Sequence, residues 1–231
     1  MARVLAIGDV HLPVARKGYL QFCIDLYNEW KCNQVVFMGD IVDWHSVSFH
    51  TKHPECPGPS DEYKRTLALV RPWYEAFPRA RVCIGNHDER VIRLAESASI
   101  PSFFIKSYNS IWKTVGWKWD YEHIIDDVYY FHGTGNSGEN PASIAVRKML
   151  MSVVMGHNHT AFGVKWFANP QRRIFGCDVG CGIDDRKAQF AYGRHTKRRS
   201  ILGAAVIIDG VPYPEIMPCS RGERYHDDKF E

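Results

Sequence analysis

RVLAIGDVH, from Arg3 to His11, opens the chain with an apolar run that stops at a glycine and turns polar. The pattern returns as QVVFMGDIVD, from Gln34 to Asp43, and as RVCIGNHDE, from Arg81 to Glu89. Short apolar runs bounded by glycine read as buried strands. Between the first two, Leu20, Cys23, Ile24 and Tyr27 keep helical spacing within Lys17 to Trp30. A second helix is expected to be capped by Ser60, with Asp61 and Glu62 in its first turn. It should run to Phe77 with a kink at Pro72. Strand, helix, strand, helix, strand implies parallel pairing through right-handed crossovers. Ligands bind at the carboxyl ends of such strands, which is where the polar fragments fall.

Further along, Glu89 to Trp119 reads as helical and aromatic-rich, and Asn140 with Pro141 as a cap and first-turn proline. Strands are expected over Val128–Phe131, Ser152–Met155, Phe162–Phe167, Arg173–Phe175 and Leu202–Ile208. The expected organisation is one α/β domain over residues 1–218 and a polar tail over 219–231. At 231 residues and 45% hydrophobic, the chain can bury a sizeable core, which excludes global disorder. No apolar run approaches a membrane span, and the first one leads directly into Asp9 and His11, unlike a signal peptide. A net charge of +3 says little about partners. Seven cysteines without paired spacing point to reduced thiols and a cytoplasmic setting. Cys177 and Cys181 read as small core residues.

Two later fragments complete a series: FHG, Phe131 to Gly133, and GHNH, Gly156 to His159. Asp9 and His11 are two apart at a strand end, so both can reach one ion, and so can His157 and His159. Asp40, Asn86 and His132 add a carboxylate, an amide and an imidazole from other strand ends. This donor set suits Mn, Fe, Zn or Ni. In a chain of this composition Asp-x-His arises by chance roughly 0.7 times, but GNHD only on the order of 0.002 times.

The ordered set resembles the calcineurin-like metallophosphoesterase superfamily, over Asp9 to His159, and in its compactness the members found in phages and bacteria. The resemblance implies two packed mixed β-sheets flanked by helices, an α/β/β/α sandwich. It implies two divalent ions, Mn²⁺ first, with Fe, Zn or Ni as alternatives. Asp9, His11, Asp40 and His159 would hold one ion; Asp40 would bridge to a second, completed by Asn86, His132 and His157. His87 would be the acid at the leaving group, oriented by a hydrogen bond to Asp43. Two adjacent ions lower the pKa of a shared water from about 15.7 towards 7. The hydroxide so formed is expected to attack phosphorus in line.

The flanks depart from one branch of that superfamily. Its protein Ser/Thr phosphatases carry GDxxDRG and RGNHE, with arginines that grip the phosphate. Here Trp44 and His45 follow Asp43, and Ile84 precedes Gly85. A monoester dianion gains most from such a clamp, so a phosphodiesterase or nuclease is expected ahead of a monoesterase acting on nucleotides or phosphoproteins. A metal-bound scaffold without catalysis ranks last, because no ligand position is missing. The substrate is thus a phosphate ester, nucleotide or nucleic acid among them, with no membrane partner. Arg90 or Arg93 could replace the missing clamp, and His45 is a candidate substrate contact. The basic segment 186–199, with Phe190 and Tyr192 among its cations, reads as a solvated loop ahead of a nucleic-acid track. Trp112, Trp117 and Trp119 read as core, and Asp178, Asp184 and Asp185 match no family ligand.

Overall fold

In the first strand, β1 (Arg3–Ile7), Val4 and Ala6 point to one face and Leu5 and Ile7 to the other, and all four are buried. A strand apolar on both faces needs a layer on each side. The computed structural model, which describes residues 1–187, 189–190 and 198–219, supplies both. Leu5 and Ile7 pack with Val35 and Phe37 of β2 (Gln34–Phe37) and Val82 of β3 (Arg81–Cys83). Against them lie Tyr19, Cys23 and Leu26 of α1 (Tyr19–Glu29) and Val70 and Trp73 of α2 (Pro59–Ala76). Trp112 and Trp117 sit in the same core and Trp119 packs on it, as core residues rather than an exposed platform.

Val4 and Ala6 instead join Val36, Met38 and Cys83 against a second sheet. That sheet presents Tyr130 of β6 (Val128–Phe131), Val154 of β7 (Ser152–Met155), and Phe175, Cys177 and Val179 of β9 (Arg173–Val179). On its far face, Val153 and Met155 pack against α5 (Pro141–Met149). The layers are therefore helix, sheet, sheet, helix.

The first sheet adds β4 (Lys118–Asp120), β10 (Gly203–Ile208) and β11 (Val211–Ile216), in the order β11-β10-β1-β2-β3-β4. The second adds β5 (Glu122–Ile125) and β8 (Phe162–Ala168), in the order β5-β6-β7-β9-β8. The pairs β1–β2, β2–β3 and β3–β4 are parallel, as are β6–β7 and β7–β9, whereas β10, β11, β5 and β8 join antiparallel. Both sheets are mixed. Their parallel strands aim their carboxyl ends at one rim.

Several local expectations need correcting. The helix expected to be capped by Ser60 is capped two residues earlier: Gly58 is the cap and Pro59 the first helical residue, a position that needs no N–H. It continues through Pro72 to Ala76. The segment from Glu89 to Trp119 is not one helix. It divides into α3 (Arg90–Ser97), a 3₁₀ turn over Ser102–Phe104, and α4 (Tyr108–Trp112), which ends where Lys113 turns left-handed. Asn140 makes no side-chain cap at α5; the carboxylate of Asp178, across on β9, takes the Ala142 N–H instead. No helix among the described residues is long and apolar enough to cross a membrane.

Candidate metal centre

All five fragments lie at the carboxyl ends of parallel strands. Asp9 and His11 follow β1, Asp40 and Asp43 follow β2, and Asn86 and His87 follow β3. His132 follows β6, and His157 and His159 follow β7, so the two sheets meet across one cluster. The turns are tight enough to need unusual backbone: His11, Asp40 and His157 have φ of 51°, 48° and 68°. Two glycines make room. A Cβ on Gly85 would stand 2.2 Å from Asp40 Oδ1, and one on Gly156 would stand 2.3 Å from Asp9 Oδ1.

Three trios place donor atoms within 4.8 Å of one another: Asp9, His11 and His159; Asp40, His132 and His157; and His11, Asp40 and His87. The geometry centres on one atom. Asp40 Oδ2 lies 3.4 Å from His11 Nε2 and 3.3 Å from His132 Nε2, between the first two trios. His87 Nε2 lies farther off, at 4.0 Å from the same oxygen. Asn86 Oδ1 and His157 Nδ1 stand 3.0 and 3.1 Å from His132 Nε2. His159 Nε2 stands 3.0 Å from Asp9 Oδ2, and the His157 peptide N–H holds the other Asp9 oxygen at 3.0 Å. His132 Nδ1 faces the Met38 carbonyl at 2.8 Å; a carbonyl only accepts, so Nδ1 carries the hydrogen and Nε2 turns to the cluster.

The electrostatics ask for positive charge. Asp9, Asp40 and Asp43 are 0%, 1% and 2% exposed within the cluster. Buried carboxylates must be paired or bound to metal. Burial presses the His11 imidazole down, but Asp40 and Asp43 outweigh it and push it up to about 10. His132, likewise pressed down by burial, is pushed up to about 9 by Asp40 and Asp9. Burial opposes ionisation of Asp40, yet the surrounding histidines hold its carboxyl well below the usual range. His11 Nε2, buried at the centre, makes no hydrogen bond. A divalent cation among these atoms satisfies the orphaned nitrogen and the clustered carboxylates together.

Beside the cluster stand His87, Asp43 and Arg90. Asp43 Oδ1 is 3.1 Å from His87 Nδ1, and the Asp43 carbonyl accepts at 2.8 Å from the same nitrogen. Arg90, the first residue of α3, donates from one nitrogen to the Asp43 carbonyl at 2.6 Å and places another 3.0 Å from His87 Nε2. Burial presses the His87 imidazole down against the opposing pull of Asp40. His45 is buried, and its Nε2 accepts the His53 peptide N–H at 2.9 Å. Trp44 turns away into the core beside Tyr63 and Trp112.

Three supporting groups escaped the sequence reading. Asp88, the last residue of GNHD, accepts the N–H of Gly85 at 2.9 Å and of Val42 at 3.3 Å, tying two fragments together. Its place in the motif was the available signal. Glu62 of α2 accepts the N–H groups of His45 and Ser46 at 2.8 Å each. Phe190 meets His11 in a T-shaped ring contact, centroids 5.6 Å apart. Nothing in the spacing marked either of these. In the basic segment, Arg186 pairs with Asp184 at 2.7 Å and Arg198 with Glu139 at 2.6 Å, while Tyr192, Arg194 and Lys197 lie outside the described residues. Asp184 also faces Arg16 at 3.5 Å, and no donor trio among the described residues includes Asp178, Asp184 or Asp185.

The family model for calcineurin-like phosphoesterases matches residues 2–183. Gene 54 protein of Mycobacterium phage D29 is 22% identical, covering 95% of this chain and 94% of its own. Among solved structures, a metallophosphoesterase from Sphaerobacter thermophilus is 18% identical with a TM-score of 0.44, over 89% of this chain and 83% of its own. Pseudomonas putida nuclease MPE is 14% identical with a TM-score of 0.43, over 92% and 86%. The chain belongs to the calcineurin-like phosphoesterase family, whose members are metal-dependent hydrolases of phosphate esters.

Proposed function

We propose that this chain is a two-metal phosphodiesterase of the nuclease type, with Mn²⁺ as its preferred ion. The observation that carries the reading is Asp40 Oδ2, a single buried oxygen between His11 Nε2 and His132 Nε2 at 3.4 and 3.3 Å. Asp9, His11, Asp40 and His159 would hold one ion, and Asp40, Asn86, His132 and His157 the other. Such ions supply Lewis acidity at the phosphate and lower the pKa of bound water.

The chain's own residues do the rest. The Gly85 and Gly156 turns let the Asp40 and Asp9 carboxylates sit close under the backbone. His87 stands at the rim of the cluster with Nδ1 anchored on Asp43, so Nε2, which faces an Arg90 N–H at 3.0 Å, is the atom that would take up a proton and pass it to a leaving oxygen once the phosphate draws Arg90 away. A positioned acid is worth roughly 10²–10⁴ in rate. Arg90 brings one guanidinium to the His87 side, where it can bind the phosphate that displaces it. A diester bears a single negative charge, which one guanidinium matches better than the dianion of a monoester. Trp44 is occupied in the core and Ile84 carries no charge, so neither position supplies the second cation of a monoester clamp.

The direct test loads the purified protein with Mn²⁺ and compares nitrophenyl mono- and diesters. Diester preference is expected; faster monoester turnover overturns the diesterase reading. His87→Ala should slow poor leaving groups far more than nitrophenolate. Equal loss on both would remove His87 from the acid's role.

A further inference from the structure

Asp43 touches more than the histidine it was expected to orient. A single oxygen, Oδ1, lies 2.9 Å from Nδ1 of His11 and 3.1 Å from Nδ1 of His87. The two imidazoles meet edge to face with centroids 4.3 Å apart, and the carboxylate serves both. Asp43 is 2% exposed and its other oxygen makes no hydrogen bond, so solvent does not share the duty.

The two histidines depend on this oxygen unequally. His87 has a second acceptor for the same nitrogen, the Asp43 carbonyl at 2.8 Å, which the backbone supplies whatever the side chain is. For His11 Nδ1 the Asp43 carboxylate is the hydrogen-bond partner the structure shows. A carboxylate accepts only, so this bond keeps a hydrogen on Nδ1 and makes Nε2 the nitrogen that would turn its lone pair to an ion. That Nε2 is the buried nitrogen without a hydrogen bond, 3.4 Å from the central Asp40 oxygen. A carboxylate that accepts from the far nitrogen of a ligating histidine fixes its tautomer and direction and raises its basicity.

We propose that Asp43 is a positioning residue for the metal ligand His11 as well as for His87, and that its carboxylate matters more to ion binding than to the acid. This rests on the two-ion reading above. The experiment is calorimetric titration of Mn²⁺ into the metal-stripped full chain, which reads affinity and stoichiometry without turnover. Wild type should take two ions. Asp43→Ala should weaken one of them by roughly 10–100-fold. Asp43→Asn keeps an acceptor oxygen without the charge and should restore part of that loss. His87→Ala should leave both affinities unchanged.

Two wild-type affinities in Asp43→Ala overturn the proposal, as does equal weakening in His87→Ala, which would route the effect through His87. If Asp43→Ala does not fold by circular dichroism, Asp43→Asn decides: several-fold weakening of one ion supports the proposal and unchanged binding overturns it. A wild-type chain that takes fewer than two ions overturns the two-ion reading itself, a separate result.

Discussion

The carboxylate of Asp178, on β9, accepts the Ala142 N–H at 3.2 Å in the first turn of α5. That turn has orphan N–H groups, and the obvious local cap, Asn140, does not serve them. Burial pushes Asp178 up to about 7, against the opposing bond from Ala142. The unfolded chain titrates near the ordinary 3.8, so between about 4 and 7 the folded state binds the extra proton. The stability this group contributes is therefore present at low pH and lost as pH rises through about 7. Asp178→Asn keeps an acceptor and removes the titration. Urea midpoints measured from pH 4 to 8 should fall less in the variant, and parallel profiles would refute the assignment. Arg90 poses the converse question, a cation where the dipole of α3 disfavours one by about 0.3–1 kcal/mol. Its guanidinium reaches His87 and Asp43, which gives it a use at the site. A hydrogen bond to a charged group contributes about 1.5–3 kcal/mol. Arg90→Gln should accordingly raise KM for a diester roughly tenfold or more, with ion stoichiometry unchanged. An unaltered KM would place the phosphate elsewhere.

Elements were legible where burial imposed a pattern. β1, β2 and β3 are buried on both faces, so each reads as an unbroken apolar run, and each stops where the chain must present Asp or Asn. β11 carries no such signal. It contains Pro212 and Pro214, which argue against a strand in the sequence. β11 lies at the sheet edge, where two prolines spaced by two can turn their missing N–H groups outward together. β4 has a mostly exposed pattern and joins its sheet only by pairing with β3. The 3₁₀ turn over His45–Val47 was equally invisible, because its anchor is 16 and 17 residues away on α2. Glu62 is 1% exposed and caps that turn, holding the backbone just beyond Asp43. Removing it leaves two buried N–H groups unpaired, at about 1–3 kcal/mol each. Glu62→Ala should destabilise the fold by roughly that sum and lower turnover as Asp43 loosens. Denaturant unfolding reads the first effect; a loss under 1 kcal/mol would show that water replaces the carboxylate.

At the scale of the molecule, the site exists because two sheets face each other with their parallel strands aligned. The metal-ligand candidates were readable as a set because their chemistry is dense and local, in fragments of two to five residues. What the sequence did not show was the support behind them. Asp43 serving His11, Phe190 against His11 and Asp178 across to α5 all join residues at least 30 apart. Such contacts leave no periodic trace. The same layout predicts how ions act on the whole fold. Asp9 and Asp40 come from one sheet and His132, His157 and His159 from the other, so an ion bound by both sheets cross-links them. Unfolding disperses the ligands, so binding energy becomes folding energy. Free ion at 100 times its Kd adds about 2.7 kcal/mol. In a chain of this size 1 kcal/mol moves Tm by roughly 2–4 °C. Each bound Mn²⁺ should therefore raise Tm by about 5–11 °C in a thermal melt, and chelator should reverse it. Asp40→Asn should forfeit most of the increment, because Asp40 faces both ligand trios, whereas Asp178→Asn should keep it. A Tm indifferent to Mn²⁺ and chelator would mean that the two sheets are not joined through an ion.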